Sequence, residues 1–161
     1  MNLLIVGAGG HGEVIKEIAE DIGYDKIAFI DDFSTKAIGK ICDIVKFKDY
    51  ENAVCSIGNN KLRGQIIEKL KQAGFKLPVL IHPRALASKS AIIEEGTVVE
   101  PEAIVNAHAV IGKGCIISLG TIVDHDALIS DYAHINSGSV VEAGAYVDKY
   151  EKVSAGSVKA R

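Results

Sequence analysis

The run Ala91-Ile92-Ile93-Glu94-Glu95-Gly96, Thr97-Val98-Val99-Glu100-Pro101-Glu102, Ala103-Ile104-Val105-Asn106-Ala107-His108 states one six-residue pattern three times, and the chain then continues it. The third position is Val or Ile at Ile93, Val99, Val105, Ile111, Ile117, Val123, Ile129, Ile135, Val141, Val147 and Val153. The first position is small at Ala91, Thr97, Ala103, Ala109, Cys115, Thr121, Ala127, Ala133, Ser139 and Ala145, and only Glu151 departs. A period of six fits neither the alternation of a flat strand nor the 3.6-residue turn of a helix. It marks a solenoid of stacked short strands with branched aliphatic side chains inside. Eleven hexads, three to a coil, make about 3.7 coils, or ~18 Å of stack at the spacing of neighbouring strands. The register is secure to Val147, with Val153 expected as a frayed last rung.

The rest of the composition agrees. Of 161 residues, 48% are hydrophobic, yet there are only four Phe, five Tyr and no Trp, as a narrow interior filled by Val, Ile and Ala requires. A net charge of −3, with 18 Lys and Arg scattered without runs, gives no footprint for nucleic acid. The opening Met1-Asn2-Leu3-Leu4-Ile5-Val6 has no basic leader and reaches Gly7 too soon for a signal or membrane-spanning segment, so a cytoplasmic protein without membrane insertion is expected. Cys42, Cys55 and Cys115 lack metal-ligand spacing and sit in apolar runs, so all three are read as buried reduced thiols, and no metal is expected.

Ahead of the repeat, apolar runs alternate with helical periodicity. Residues 3–7 read as a buried strand, Glu13 to Ile22 as an amphipathic helix, Lys26 to Ile30 as a second strand, Ala53 to Ile57 as a third, and Lys61 to Ala73 as a second helix. Val79 to Ile81 reads as a last strand before His82-Pro83. This order implies a small parallel α/β domain over residues 1–83, followed by the solenoid over 84–161. With no Gly/Ser-rich linker at the seam, rigid packing of the two domains is expected.

Gly7-Ala8-Gly9-Gly10-His11-Gly12 fits G-x-G-x-x-G spacing between a strand and a helix, where glycines let a pyrophosphate approach backbone N–H groups and the positive end of the helix. Asp31 and Asp32, at the end of the next strand, are placed to accept hydrogen bonds from ribose or sugar hydroxyls. A nicotinamide dehydrogenase is disfavoured. About 80 residues make one mononucleotide-binding half and not two, His11 adds a polar group facing the phosphate region, and the catalytic candidates lie in the solenoid.

Five motifs together carry a family resemblance: the glycine run, Phe29-Ile30-Asp31-Asp32, Ile57-Gly58-Asn59-Asn60-Lys61-Leu62-Arg63, Leu80-Ile81-His82-Pro83, and Asp124-His125-Asp126. In this order the chain resembles the hexapeptide-repeat sugar O- and N-acyltransferases, which include sialic acid O-acetyltransferases and the enzymes that acetylate UDP-linked 4-amino-sugars. It is most similar to the bacillosamine-pathway type, over residues 1 to about 147. The resemblance implies a Rossmann-like domain followed by a left-handed parallel β-helix. It further implies a nucleotide-sugar, UDP-linked, in the N-terminal domain, acetyl-CoA in a groove between adjacent solenoids of a homotrimer, and a solenoid histidine as base. By matching motifs, the sugar-nucleotide roles fall on Gly7, Gly9, Gly10, His11, Gly12, Asp31, Asp32, Gly58 and Asn59, and the base is His125.

Acyl transfer to an amine, or less readily a hydroxyl, needs a base for the departing proton and a donor for the oxyanion. His125, two places after the inward Val123, should project from its coil. Asp126 is the expected orienting acid because the resembling enzymes carry an acid there, and Asp124 stays open as the alternative. His134, half a coil further, should lie around the prism from His125 and meet acetyl-CoA or acceptor only through a neighbouring subunit. His108, one coil before Asp126, is expected to pair with it structurally. Amides near Ala143 and Gly144 are the expected oxyanion donors. Direct attack is favoured over an acyl-enzyme, since Cys115 lies on the buried track and no serine is placed with a histidine.

The resembling enzymes continue for several more coils, so a shortened acetyl-CoA groove is expected here, with Tyr150-Glu151-Lys152 and Lys159-Ala160-Arg161 as a terminal cap. The alternative to an active transferase is a non-catalytic nucleotide-sugar-binding or scaffold homologue lacking a complete CoA site.

Overall fold

The computed structural model describes residues 1–161 and divides into two units, Met1–Pro78 and Val79–Arg161. In the first, β1 (Asn2–Val6) is the central strand of a parallel sheet, with β2 (Lys26–Ile30) and β3 (Asn52–Cys55) on either side. Leu3, Leu4, Ile5 and Val6 are all fully buried, as a strand covered on both faces must be. Helices α1 (Gly10–Asp21) and α2 (Asn60–Gln72) supply the cover, α1 through Ile15, Ile18 and Ala19 and α2 through Ile66, Ile67 and Leu70. Each such leucine or isoleucine side chain removed from water contributes about 1.5–3 kcal/mol before entropy is counted.

Helix α1 starts at Gly10, three residues before the start expected from periodicity, because Gly9 caps it and the Glu13 N–H closes the first turn on the Gly9 carbonyl at 3.2 Å. Gly10, His11 and Gly12 therefore form the opening turn itself. Gly12 has no alternative: a Cβ there would stand 2.4 Å from the Gly7 carbonyl oxygen and 3.3 Å from the Phe29 ring. A six-residue 3-10 helix (Ile41–Lys46) crosses between β2 and β3 and leaves Cys42 exposed, whereas Cys55 and Cys115 are buried. The expectation of three buried thiols thus fails at Cys42, because this short helix buries only Ile44. Burial pushes the Cys55 thiol up to about 12.

The second unit is a parallel β-solenoid of two-residue strands running from Leu80–Ile81 to Val158–Lys159. They fall into three sheets of five, five and four strands, so the stack holds between four and five coils. Neighbours within a sheet are 18 residues apart, as in Ile116 opposite His134, Ile122 opposite Val140 and Leu128 opposite Tyr146. Inward Val99 through Val153 and the small first positions from Ala103 to Ala145 form one buried core. Where that track carries a hydroxyl, a backbone group satisfies it: Thr97 Oγ1 donates to the Gly112 carbonyl at 2.8 Å and accepts from the Cys115 N–H at 3.0 Å.

The sixth residue of each hexad turns the corner with φ between 58° and 72°. Five of these corners are not glycine: Glu102, His108, Asp126, Tyr132 and Tyr150. That conformation costs an ordinary residue about 1–2 kcal/mol, and less for Asp.

The solenoid extends beyond the legible period at both ends. Leu80–Ile81, read as the last α/β strand, is instead the first rung, paired with Val98–Val99, and the first unit ends at Pro78. Ile81 and Ala87 are in phase with Ile93, but alanine at the third position hid the register. At the other end Val153 is only 5% exposed and is followed by the rung Val158–Lys159, paired with Val140–Val141. Glu151, on the small-residue track, is accommodated by Lys159 at 2.7 Å and by the Asp148 N–H at 2.8 Å.

Candidate functional site

His125 occupies the corner after the strand Ile122–Val123, where its side chain projects, exposed, as the period predicts. Its Nδ1 lies 2.7 Å from Asp126 Oδ2. A ring nitrogen facing a carboxylate carries the proton, which leaves Nε2 as the free base. Asp126 first, and Asp124 second, raise the His125 pKa above its ordinary value. The two acids divide the work. Asp124 does not reach the ring: its Oδ1 accepts the His125 backbone N–H at 2.7 Å and the Asn106 side-chain amide at 2.9 Å. These contacts hold the Asp124 carboxyl below its usual range.

The positive-φ corner at Asp126 brings its carboxylate back onto the preceding ring, so Asp126 pairs with His125 and not with His108 one coil away. The His108 backbone N–H instead donates to Ser90 Oγ at 3.1 Å.

His134 stands on a different sheet, in the strand His134–Ile135, around the prism from His125 as expected. Its Nε2 is 2.9 Å from Ser118 Oγ, a pairing that sequence reading missed. The two are 16 residues apart, two short of a coil, and counting around the 18-residue coil would have placed residue 118 just beyond His134's neighbour Ile116. Ser118 is 4% exposed, and the adjacent Leu119 N–H is committed to Glu100 at 3.0 Å.

Of the expected oxyanion donors, Gly144 is engaged: its N–H donates to the His125 carbonyl at 3.0 Å. Ala143 differs. At the equivalent place in other hexads, Asn106, Asp124 and Asn136 accept the next N–H with their side chains, but here Glu142 is longer and turns to the Arg161 N–H at 3.2 Å.

In the first unit the glycine turn is held from three sides. The Gly7 N–H donates to the Ile30 carbonyl at 2.9 Å, the buried Ser56 hydroxyl reaches the Gly7 carbonyl at 2.8 Å, and the Ala8 N–H donates to Asp31 Oδ2 at 2.9 Å. The other Asp31 oxygen accepts the N–H groups of Phe33 and Ser34, at 2.8 and 3.0 Å. These backbone donors hold the Asp31 carboxyl below its usual range, Ala8 contributing most. Asp31 therefore organises the loop, and Asp32 is the freer of the two acids, exposed and bonded through Oδ1 to the Ile41 N–H at 3.0 Å. Asn59 caps α2 through the Leu62 N–H at 3.0 Å, Gly58 is exposed beside it, and His11 is half-buried in the first turn of α1. Arg63, 1% exposed and donating to the Ile57 carbonyl at 3.0 Å, braces the turn that carries Gly58 and was not foreseen. No group of three or more His, Cys, Asp or Glu side chains is arranged to hold a metal ion.

Residues 2–70 match the family described as the PglD N-terminal domain. The chain is 38% identical over 109 residues to UDP-N-acetylbacillosamine N-acetyltransferase of Bacillus subtilis (strain 168), a match covering 61% of this chain and 50% of that protein, so the chain spans about half the length of this curated relative. Among solved structures, the acetyltransferase domain of PglB from Neisseria gonorrhoeae FA1090 superposes with a TM-score of 0.94 at 36% identity, covering 98% of this chain and 81% of that one. The same domain has been solved in complex with acetyl coenzyme A. A mutant perosamine N-acetyltransferase from Caulobacter crescentus, in complex with CoA and GDP-perosamine, gives a TM-score of 0.89 at 26% identity, covering 94% of this chain and 76% of that one. With identity above one third carried over four fifths of a solved acetyltransferase domain, and one fold throughout, the chain belongs to the hexapeptide-repeat sugar acetyltransferase family.

Proposed function

We propose that this chain transfers the acetyl group of acetyl-CoA to the amino group of a nucleotide-linked sugar. The observation that carries the reading is the His125–Asp126 pair at 2.7 Å, with Nε2 left free on an exposed corner. The relatives' printed substrates, a UDP-linked sugar in one and GDP-perosamine with CoA in another, point to the same class of acceptor.

The amine nitrogen attacks the thioester carbonyl and forms the C–N bond. Its proton passes to His125 Nε2, and Asp126 stabilises the imidazolium across the Nδ1 hydrogen bond. The negative charge that gathers on the carbonyl oxygen meets a backbone donor, for which the Ala143 N–H is the better candidate now that Gly144 is engaged. Collapse breaks the C–S bond, and the imidazolium returns its proton to the CoA sulfur. Direct attack suits this site, because Ser118 is buried with the neighbouring Leu119 N–H already engaged, and Cys115 lies in the core. The first unit grips the nucleotide through the opening turn of α1, Asp32 and the Gly58-Asn59 turn, with no catalytic step of its own.

A homotrimer fits the solenoid's outer faces. Ile104 and Ile122 on one sheet, and Ile92, Leu128 and Tyr146 on another, form exposed apolar ladders that self-association would cover. The setting is cytoplasmic, where acetyl-CoA and nucleotide-sugars are both supplied.

The test is thiol release on mixing the protein with acetyl-CoA and a panel of UDP- and GDP-linked amino-sugars. Stoichiometric CoA and acetylated sugar are expected with at least one acceptor. Absence of release with every acceptor, despite nucleotide-sugar binding, would favour a binding protein. Sedimentation should give a trimer, and a strict monomer would contradict the groove.

A further inference from the structure

We infer that His108 is a second substrate-touching histidine of the transfer site, hydrogen-bonded to the acceptor sugar's hydroxyl next to the amine. The inference rests on the acetyl-transfer reading above and extends it from the base to recognition of the acceptor.

Five corners of the solenoid hold a residue other than glycine at positive φ, and at four of them the side chain has a partner within the chain. Glu102 pairs with Arg84 at 3.3 Å, Asp126 with His125 at 2.7 Å, and Tyr132 and Tyr150 stack with ring centroids 5.5 Å apart. The His108 ring has none. Its φ is 58°, its side chain stands exposed, and only its backbone is engaged, through the N–H to Ser90 Oγ at 3.1 Å. A side chain held on a costly corner with no contact inside the chain points to a partner outside it.

Its place says which partner. His108 and Asp126 are the sixth residues of hexads one coil apart, as the pairing of Ile104 with Ile122 and of Val110 with Leu128 on either side fixes. The Asp126 N–H donates to the Ala107 carbonyl at 3.1 Å, so the two corners stack directly, at about the 4.8 Å of neighbouring strands. Ala107 lies one coil beneath His125 and Ala143 one coil above it. The base therefore stands between two small neighbours, and His108 borders the lower space. With the thioester carbonyl at the Ala143 N–H, as proposed, the acceptor takes the Ala107 side. There its amine meets His125 Nε2 and its adjacent hydroxyl meets His108. An imidazole both donates and accepts, as a hydroxyl does, so the two match in either sense.

The test is steady-state kinetics of the full chain with acetyl-CoA and the nucleotide-linked amino-sugar that it acetylates. His108→Gly, which suits a left-handed corner, should lower kcat/KM for the acceptor roughly 3- to 10-fold, the loss of one neutral hydrogen bond, with KM for acetyl-CoA unchanged. Its unfolding midpoint should hold or rise, which a merely structural histidine would not allow. His108→Asn, also at ease in this conformation but too short to reach as far as the ring, should lose the same factor, so corner flexibility is not the cause. An acceptor lacking the hydroxyl beside the amine should lose about that factor with wild type and nothing further with His108→Gly. Undiminished kcat/KM in both variants, losses that multiply between variant and deoxy acceptor, or a lower midpoint with both KM values raised would overturn the assignment and leave the transfer reading intact. A wild-type protein that acetylates no nucleotide-linked amino-sugar would overturn both.

Discussion

In the solenoid every hexad offers the same six environments, whereas in the N-terminal unit no two loops are alike. The difference separates two kinds of function. At His125 the repeat supplies a regular corner, and the proposed chemistry enters through three side chains, Asp124, His125 and Asp126, set on an otherwise ordinary turn. In the first unit the proposed site is made by the loops themselves, and one carboxylate, Asp31, joins two of them. On the proposed function, catalysis is grafted onto a regular frame, while recognition is built from irregular backbone.

The sharpest way to break this division is His125→Ala. Loss of a general base should cut turnover by roughly 10²- to 10⁴-fold with nucleotide-sugar affinity nearly unchanged, read by CoA release and calorimetry on one preparation. Normal turnover would remove His125 from the mechanism. Next in size is Ala127→Leu, on the fully buried small-residue track beside this corner. Overpacking there should cost about 1–3 kcal/mol in denaturant unfolding. An unchanged midpoint would mean that the core has room that the repeat denies it.

Smallest is Asp126→Asn. Asp126 raises the His125 pKa, and a base works only when neutral, so the rate falls as pH drops through that value. Removing the carboxylate should lower the pKa toward its ordinary value and move the acidic limb of the pH–rate profile to lower pH, with a reduced plateau. A limb that stays in place would transfer the orienting role to Asp124.

Much of the solenoid was legible because a six-residue period states burial directly: Val99 to Val147 and the small track fell where counting placed them. Its ends were not, since Ala87 and Lys159 occupy third positions and tertiary pairing alone keeps those rungs in register. The exposure of His125 followed from the same count. The pairing of Ser118 with His134 did not, because contact two residues short of a coil depends on how side chains lean at a corner. Gly144 looked free in sequence, yet ladder geometry commits its N–H to His125. In the first unit Asp31 read as a ligand group, and the structure gives its oxygens three backbone donors. No spacing rule announces that a carboxylate will be used up by its own loop.

If the first unit holds the nucleotide and the solenoid performs the transfer, as proposed, a sugar without its nucleotide is a poor acceptor. Comparing kcat/KM for a nucleotide-linked amino-sugar with that for the same amino-sugar free of nucleotide tests it most directly. Rapid acetylation of the linked sugar and almost none of the free one are expected, because the nucleotide supplies binding energy that the free sugar lacks. Equal rates for the two would contradict it.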